Sequence, residues 1–191
     1  MGVIARMVVV AVLVAVLTVS MIPKQKGYGM AGIDIIKTLQ EMFTKSSPQT
    51  DILNYLNEKG YSDKAAAGIL ANIELETGGT FDYQQKEKKG DAYGLFQYSN
   101  EMKDSYNEWK KSNDRTDSME SQIDFMDDVV KGNEEMLGGK ERAILKGELF
   151  SGKFEPDRIA KSFNSIFEKG KLETDYGNRE DLANKIYEEY F

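Results

Sequence analysis

A chain of 191 residues with 40% hydrophobic and 10% aromatic residues holds enough apolar material for one sizeable buried core. It has no cysteine and no histidine, which excludes disulfides, Cys/His zinc sites, Ser-His and Cys-His nucleophile pairs and the usual neutral-pH general base. The formal charge is −7; the first thirty residues carry Arg6, Lys24 and Lys26 and no acid, so the remainder stands at −10 and is a poor electrostatic partner for nucleic acid. Catalysis, if present, must run on carboxylates, amides, hydroxyls, lysine or a hard oxygen-bound cation.

Residues 7–22, MVVVAVLVAVLTVSMI, form an uncharged apolar run that Pro23 breaks. At ~1.5 Å per residue the run spans about 24 Å of helix, slightly short of the ~30 Å hydrocarbon core unless Val3 to Ala5 join it with Arg6 snorkelling. Residues 1–23 therefore read either as a signal peptide, with Thr18-Val19-Ser20 as the small-residue cleavage site, or as a retained transmembrane anchor, which is the preferred expectation. The Gly- and Lys-containing residues 24–33 suit a linker.

Residues 34–191 then read as a single domain. Ile35, Ile36, Leu39, Met42 and Phe43 recur at helix spacing behind Asp34 as N-cap, and Ser46-Ser47-Pro48 ends that segment. A helix from about Thr50 to Gly60 turns Ile52, Leu53 and Leu56 inward. The next starts after Ser62, carries Ala65, Ala66, Ile69, Leu70 and Ile73, and stops at Gly78-Gly79. A polar stretch, FDYQQKEKKGD, marks a solvated hairpin or loop, and AYGLFQYS reads as a short strand or turn. Helices are expected again over 101–111, 117–136, 140–149, 156–168 and 179–190, with Pro156 in a first helical position and Asn178 as a cap. The fold class is α+β, mainly helical, with a small β insertion and one N-terminal hydrophobic helix ahead of the domain.

The stretch NIELETGG is where an acid, a helix end and glycines coincide. At about 100° per residue, Glu76 lies about 20° from Ile69 around the helix, whereas Glu74 lies about 140° away. Glu76 is thus the candidate for a partly buried carboxyl. Apolar neighbours disfavour the charged form, so such a group can hold a proton to donate near neutral pH, although spacing alone equally allows an ordinary helix-end glutamate. Trp109, with Tyr106 one turn earlier, is expected to close the helical core. Asp124, Asp127 and Asp128 lack a calcium-loop glycine spacing and read as a solvated helix face. No cofactor and no metal are expected.

The segments ILNYLNEKGYSDKAAAGILANIELETGG, YGLFQYSN, QIDFM, AKSFNSIFEKG and NREDLANKIY, in that order, resemble the phage tail lysozyme family within the wider group of lysozymes and lytic transglycosylases. The resemblance implies a lysozyme-like domain. It implies that Glu76, in a Glu76-Thr77 pair where the family has Glu-Ser, is the catalytic acid. Gly94-Leu95-Phe96-Gln97-Tyr98 matches the family's Gly-Leu-X-Gln-aromatic segment with tyrosine in place of tryptophan, and Phe163 to Glu168 matches a later one, in which Glu168 is a structural acid by analogy only. Thr77, Tyr93, Gly94, Leu95, Gln97 and Tyr98 are the expected substrate-binding residues, with Tyr98 as a sugar-stacking ring. Asp82 and Asp91 are the candidates for a second catalytic carboxylate, each equally readable as a loop or turn residue.

The implied substrate is the peptidoglycan glycan strand, cut between N-acetylmuramic acid and N-acetylglucosamine by hydrolysis or, as in lytic transglycosylases, by attack of the muramic acid's own hydroxyl. Composition agrees: of the zinc amidases, Cys-His peptidases and carboxylate glycosidases that open peptidoglycan, a chain lacking His and Cys can only be the last. The protein is expected to be membrane-anchored through residues 7–22, or exported, and to act on the cell wall, with virion proteins as further partners. Competing readings are a non-catalytic membrane or virion protein with a lysozyme-like domain and a conjugation-type wall hydrolase.

Overall fold

The computed structural model describes residues 46–88, 90–168 and 176–191. The apolar run, the linker and the helix expected behind Asp34 lie outside these residues. Among the described residues no helix is long and apolar enough to cross a membrane.

Residues 48–189 form one compact, mainly helical unit. The chain runs through α1 (Pro48–Glu58), α2 (Asp63–Thr77), an irregular segment, α3 (Asn100–Ser112), α4 (Met119–Lys131), α5 (Gly139–Ser151), α6 (Pro156–Phe163), a π-helical turn (Asn164–Glu168) and α7 (Tyr176–Tyr190). The centre is α2, whose residues from Ala65 to Ile73 are all buried. Its run of alanines and Gly68 lets neighbouring backbones come close. The α2–α6 contact is the most extensive in the unit. A Cβ on Gly68 would stand 2.7 Å from Ile159 Cγ2 and 3.0 Å from the Ala160 backbone nitrogen. One turn on, the buried Asn72 amide donates to Gly68 O at 2.8 Å and Ala160 O at 3.1 Å, fixing the two helices in register.

The second part of the core is aromatic. Phe96, Tyr98, Tyr106, Trp109, Phe125, Phe163 and Phe167 are all buried and pack ring to ring, with Phe163 and Phe167 stacked at 4.8 Å. Trp109 and Tyr106 do close the helical core.

The structure corrects several expectations. The β insertion reduces, among the described residues, to two isolated antiparallel bridges, Lys86 to Tyr93 and Tyr93 to Tyr98. Tyr93 and Tyr98 pair with each other across four residues, so the segment closes on itself before a strand can extend. The helix expected over 117–136 stops at Lys131, because Gly132 takes φ +91° and returns its N–H to Asp128 O at 2.9 Å. The helix expected over 156–168 widens into a π turn after Phe163. Asn178 lies inside α7, which begins at Tyr176. Asp124 and Asp127 are not a solvated face but are buried. Asp124 accepts from Tyr55, Lys59 and Arg115, and Asp127 from Tyr61 and Lys131, at 2.8–2.9 Å, tying α1 to α4. Asp128 accepts from Trp109 Nε1 at 2.8 Å.

Candidate active site

Glu76 occupies the last turn of α2. The helix ends where Gly78 turns left-handed, with the Gly79 N–H returning to Glu74 O at 2.7 Å. Thr77 is buried; its hydroxyl donates to Ile73 O at 2.7 Å and accepts from the Phe81 N–H at 3.2 Å, which bends the chain away at once. Glu76 is left with its side chain 24% exposed. Glu74, on another side of the helix, has its pKa raised by partial burial and then by the charge of Glu189.

Arg179 reaches Glu76 from α7. Its Nη2 donates to Glu76 Oε1 at 2.7 Å, while Nη1 donates to Asn72 Oδ1 at 2.7 Å and Glu168 Oε2 at 3.2 Å. The Arg179 and Glu168 side chains are only 9% and 5% exposed. One cation thus serves two carboxyl groups and an amide. Glu168 is pushed up to about 8 by burial and by the neighbouring Glu76 charge, with Arg179 pulling the other way. Sequence reasoning gave Arg179 no role beyond its place in the matching segment NREDLANKIY. The available signal was periodicity: Arg179 shares the buried stripe of α7 with Ala183 and Ile186, and a charge on such a stripe requires a partner. Glu168 likewise follows Phe163 and Phe167 on the buried side of its turn.

A cleft of about 800 Å³ opens over Glu76 and is bordered by Thr77, Thr80, Gln85, Lys86, Glu87, Lys88, Ala92 and Gln97. A second groove of about 400 Å³ has Gln97 in common with it and carries Glu168 and Phe167 on its wall. Gln97 therefore stands between the two glutamates' openings. Its loop is held from below by Gln122, which accepts from the Leu95 N–H at 2.7 Å and donates to Tyr83 O at 2.7 Å. Gly94 takes φ +80° directly over that amide, and an added Cβ would stand 2.7 Å from Gln122 Cδ. Gln97 itself takes φ 45°, with its side-chain amide donating to Gly94 O at 2.8 Å.

The remaining expected site residues divide. Gly94, Leu95 and Tyr98 are buried. Tyr98 packs against Phe96, Tyr106, Phe125 and Phe167 and donates its hydroxyl to Gln122 O at 2.9 Å, so it has no ring face to offer a sugar, contrary to expectation. Tyr93 is half-buried and donates to Asp117, which also accepts from Tyr106 at 2.6 Å. Burial works against the Asp117 carboxylate, yet hydrogen bonds from Tyr106, Tyr93 and Gln122 hold it below the usual range. Asp82 and Asp91 do not border the Glu76 cleft. Asp82 is exposed and accepts from the Gln84 N–H at 2.8 Å in a local turn. Asp91 is exposed beside Lys103 in an adjoining hollow of about 410 Å³ that has Lys86, Glu87 and Ala92 in common with the Glu76 cleft. Glu87, which the sequence left within a solvated loop, is the carboxylate that does share the cleft with Glu76. Among the described residues no group of acids could hold a metal ion.

A site built from a helix-end carboxyl, a buried second carboxyl and a shared guanidinium can store and release a proton beside an open cleft. The phage tail lysozyme family model matches residues 47–190, three quarters of the chain. The chain belongs to that family. Membership brings a lysozyme-like, peptidoglycan-degrading function and peptidoglycan as substrate. No curated relative matches the chain.

Proposed function

We propose that this phage tail lysozyme cleaves the β-1,4 bond between N-acetylmuramic acid and N-acetylglucosamine, with Glu76 as the proton donor. The observation that supports this most is the placement of Glu76: a partly exposed carboxyl, anchored by Arg179, at the wall of the cleft that Gln97 also borders. The glycan lies along this cleft, and Glu76 protonates the glycosidic oxygen as oxocarbenium character develops at the muramic acid carbon. Glu76→Gln keeps the side chain's shape and its acceptor for Arg179 but has no acidic proton. It should reduce release of soluble fragments from purified peptidoglycan by about 10²-fold or more. Activity within a few-fold of the parent would remove Glu76 from the mechanism.

The acceptor is water, activated by the cleft carboxylate Glu87 in place of Asp82 or Asp91. The absence of both aspartates from the cleft favours one alternative, transglycosylation, in which Glu76 serves as acid and then base. Mass spectrometry of the released muropeptides decides between them: reducing muramic acid ends support hydrolysis, and 1,6-anhydro ends overturn it. Residues 7–22 hold the domain at a membrane, from which it acts on the cell wall, and recovery of intact full-length protein in the soluble fraction would contradict this.

A further inference from the structure

An arginine guanidinium carries one charge on five N–H donors in a rigid fork, so it can bond several acceptors but neutralise only one carboxylate. Arg179 is used in this way, with Asn72 and Glu168 on Nη1 and Glu76 on Nη2. Asn72 donates its own amide to Gly68 O and Ala160 O, so the fork is fixed to the α2–α6 crossing and cannot swing towards one glutamate alone. Two ionised carboxylates here would leave a net negative charge in a largely buried place. One proton on the pair relieves it.

We propose that Glu168 is a positioning residue that makes Glu76 a proton donor: by competing for the Arg179 guanidinium it lets the two carboxyl groups share one proton. The inference rests on Glu76 being the donor. In the cleavage step the shared proton leaves from Glu76 to the glycosidic oxygen, which departs with the electrons of its bond to the muramic acid carbon. Both glutamates are then ionised around one arginine, and the surplus negative charge faces the oxocarbenium centre. The proton lost by the attacking hydroxyl returns to the pair, whether that hydroxyl belongs to water or to the sugar.

The surroundings fit this division of roles. Glu168 retains its proton to about pH 8, with burial the larger cause and the Glu76 charge the next. Of its neighbours, Tyr98 is held as the neutral phenol, and Glu101 of α3 borders the groove that Glu168 also borders. Lys169 and Lys171 follow in sequence, outside the described residues. Among the described residues Glu168 Oε1 has no hydrogen-bond partner.

The test is the pH dependence of kcat/KM between pH 4.5 and 9 on purified peptidoglycan, for the full chain and its Glu168→Gln and Glu76→Gln variants. Glutamine at 168 leaves Arg179 wholly to Glu76. The alkaline limb should then move down by about one pH unit or more, with about tenfold loss at pH 7.5, carried by kcat and recovered near pH 5. A profile superimposable on the parent's overturns the proposal. If Glu76→Gln stays active, the reading beneath it fails as well; if Glu76→Gln is inactive while Glu168→Gln titrates like the parent, only the proton sharing fails. Should Glu168→Gln not fold, carboxyl ¹³C NMR of Glu76→Gln answers the same question. The Glu168 midpoint should fall by about one pH unit or more from its parent value, because the neighbouring charge is gone; an unmoved midpoint overturns the proposal.

Discussion

Glu168→Gln removes one titration from the folded state, and its consequence for stability has a definite sign. The Glu168 carboxyl is raised from 4.5 to about 8, so the folded protein retains a proton that the unfolded chain releases near 4.5. Wherever the folded state binds more protons, unfolding becomes easier as pH rises. Stability from this source is thus complete below about pH 4.5 and is lost progressively up to about pH 8. At 1.36 kcal/mol for each pH unit separating the two values, the loss is on the order of 5 kcal/mol as an upper figure, and it belongs to the Glu76–Glu168 pair jointly. Glutamine cannot ionise and should show none of it. Equilibrium urea unfolding of parent and variant at intervals from pH 5 to 8.5 isolates the effect of the pair, because titrations away from it, including that of Glu74, cancel in the difference. The variant should gain on the parent steadily across that window. A difference constant to within about 0.5 kcal/mol, the scatter of ordinary surface substitutions, would mean that Glu168 is ionised in the folded protein and refute the reasoning.

Gly68→Ala places a methyl group 2.7 Å from Ile159 Cγ2 at the α2–α6 crossing and should cost about 1–3 kcal/mol, read as a fall in thermal midpoint. A parent-like midpoint would show that the two helices are not packed so closely. Glu74→Gln is the control for Glu76: it relieves the burial of a carboxylate and its repulsion from the Glu189 charge and should leave peptidoglycan cleavage unchanged, with stability at pH 7 unchanged or slightly raised. A large activity loss would move the chemistry to the other side of the helix.

Much of the fold was legible where local chemistry decides it. Ser62 accepts from the Ala65 N–H and Gly78 takes the left-handed cap, so both ends of α2 follow from residues within a turn of them. Glu76 was legible for the same reason, since its place around the helix follows from its spacing to Ile69. The misreadings share a physical origin in contacts that periodicity cannot see. Asp124 and Asp127 look like a polar face until Tyr55, Lys59 and Tyr61, more than sixty residues earlier, are brought onto them. The aromatics of AYGLFQYS have strand propensity, but Tyr93 and Tyr98 exchange their backbone hydrogen bonds with each other, and Gln122, 27 residues further on, takes the Leu95 N–H. Arg179 lies 103 residues from Glu76 and 107 from Asn72, so the charge arrangement of the site exists only once α7 has docked on α2.

That docking explains why Glu76→Gln should fold nearly as the parent does even though it removes one partner of a buried arginine. Breaking a buried ion pair is expensive because it leaves a charge uncompensated, commonly by about 3–5 kcal/mol. Here Glu168 can release its proton and supply the missing negative charge on the same guanidinium, 3.2 Å away. Glu168→Gln is tolerated for the converse reason, since Glu76 remains at 2.7 Å. The two substitutions together leave Arg179 with neither carboxylate, and no protonation change at these positions can then compensate it. The double variant should therefore lose about 3–5 kcal/mol beyond the sum of the single losses at pH 7, a coupling that a double-mutant cycle by urea unfolding measures directly. Additive losses would show that Arg179 does not depend on the two glutamates in common, and the shared proton would go with them.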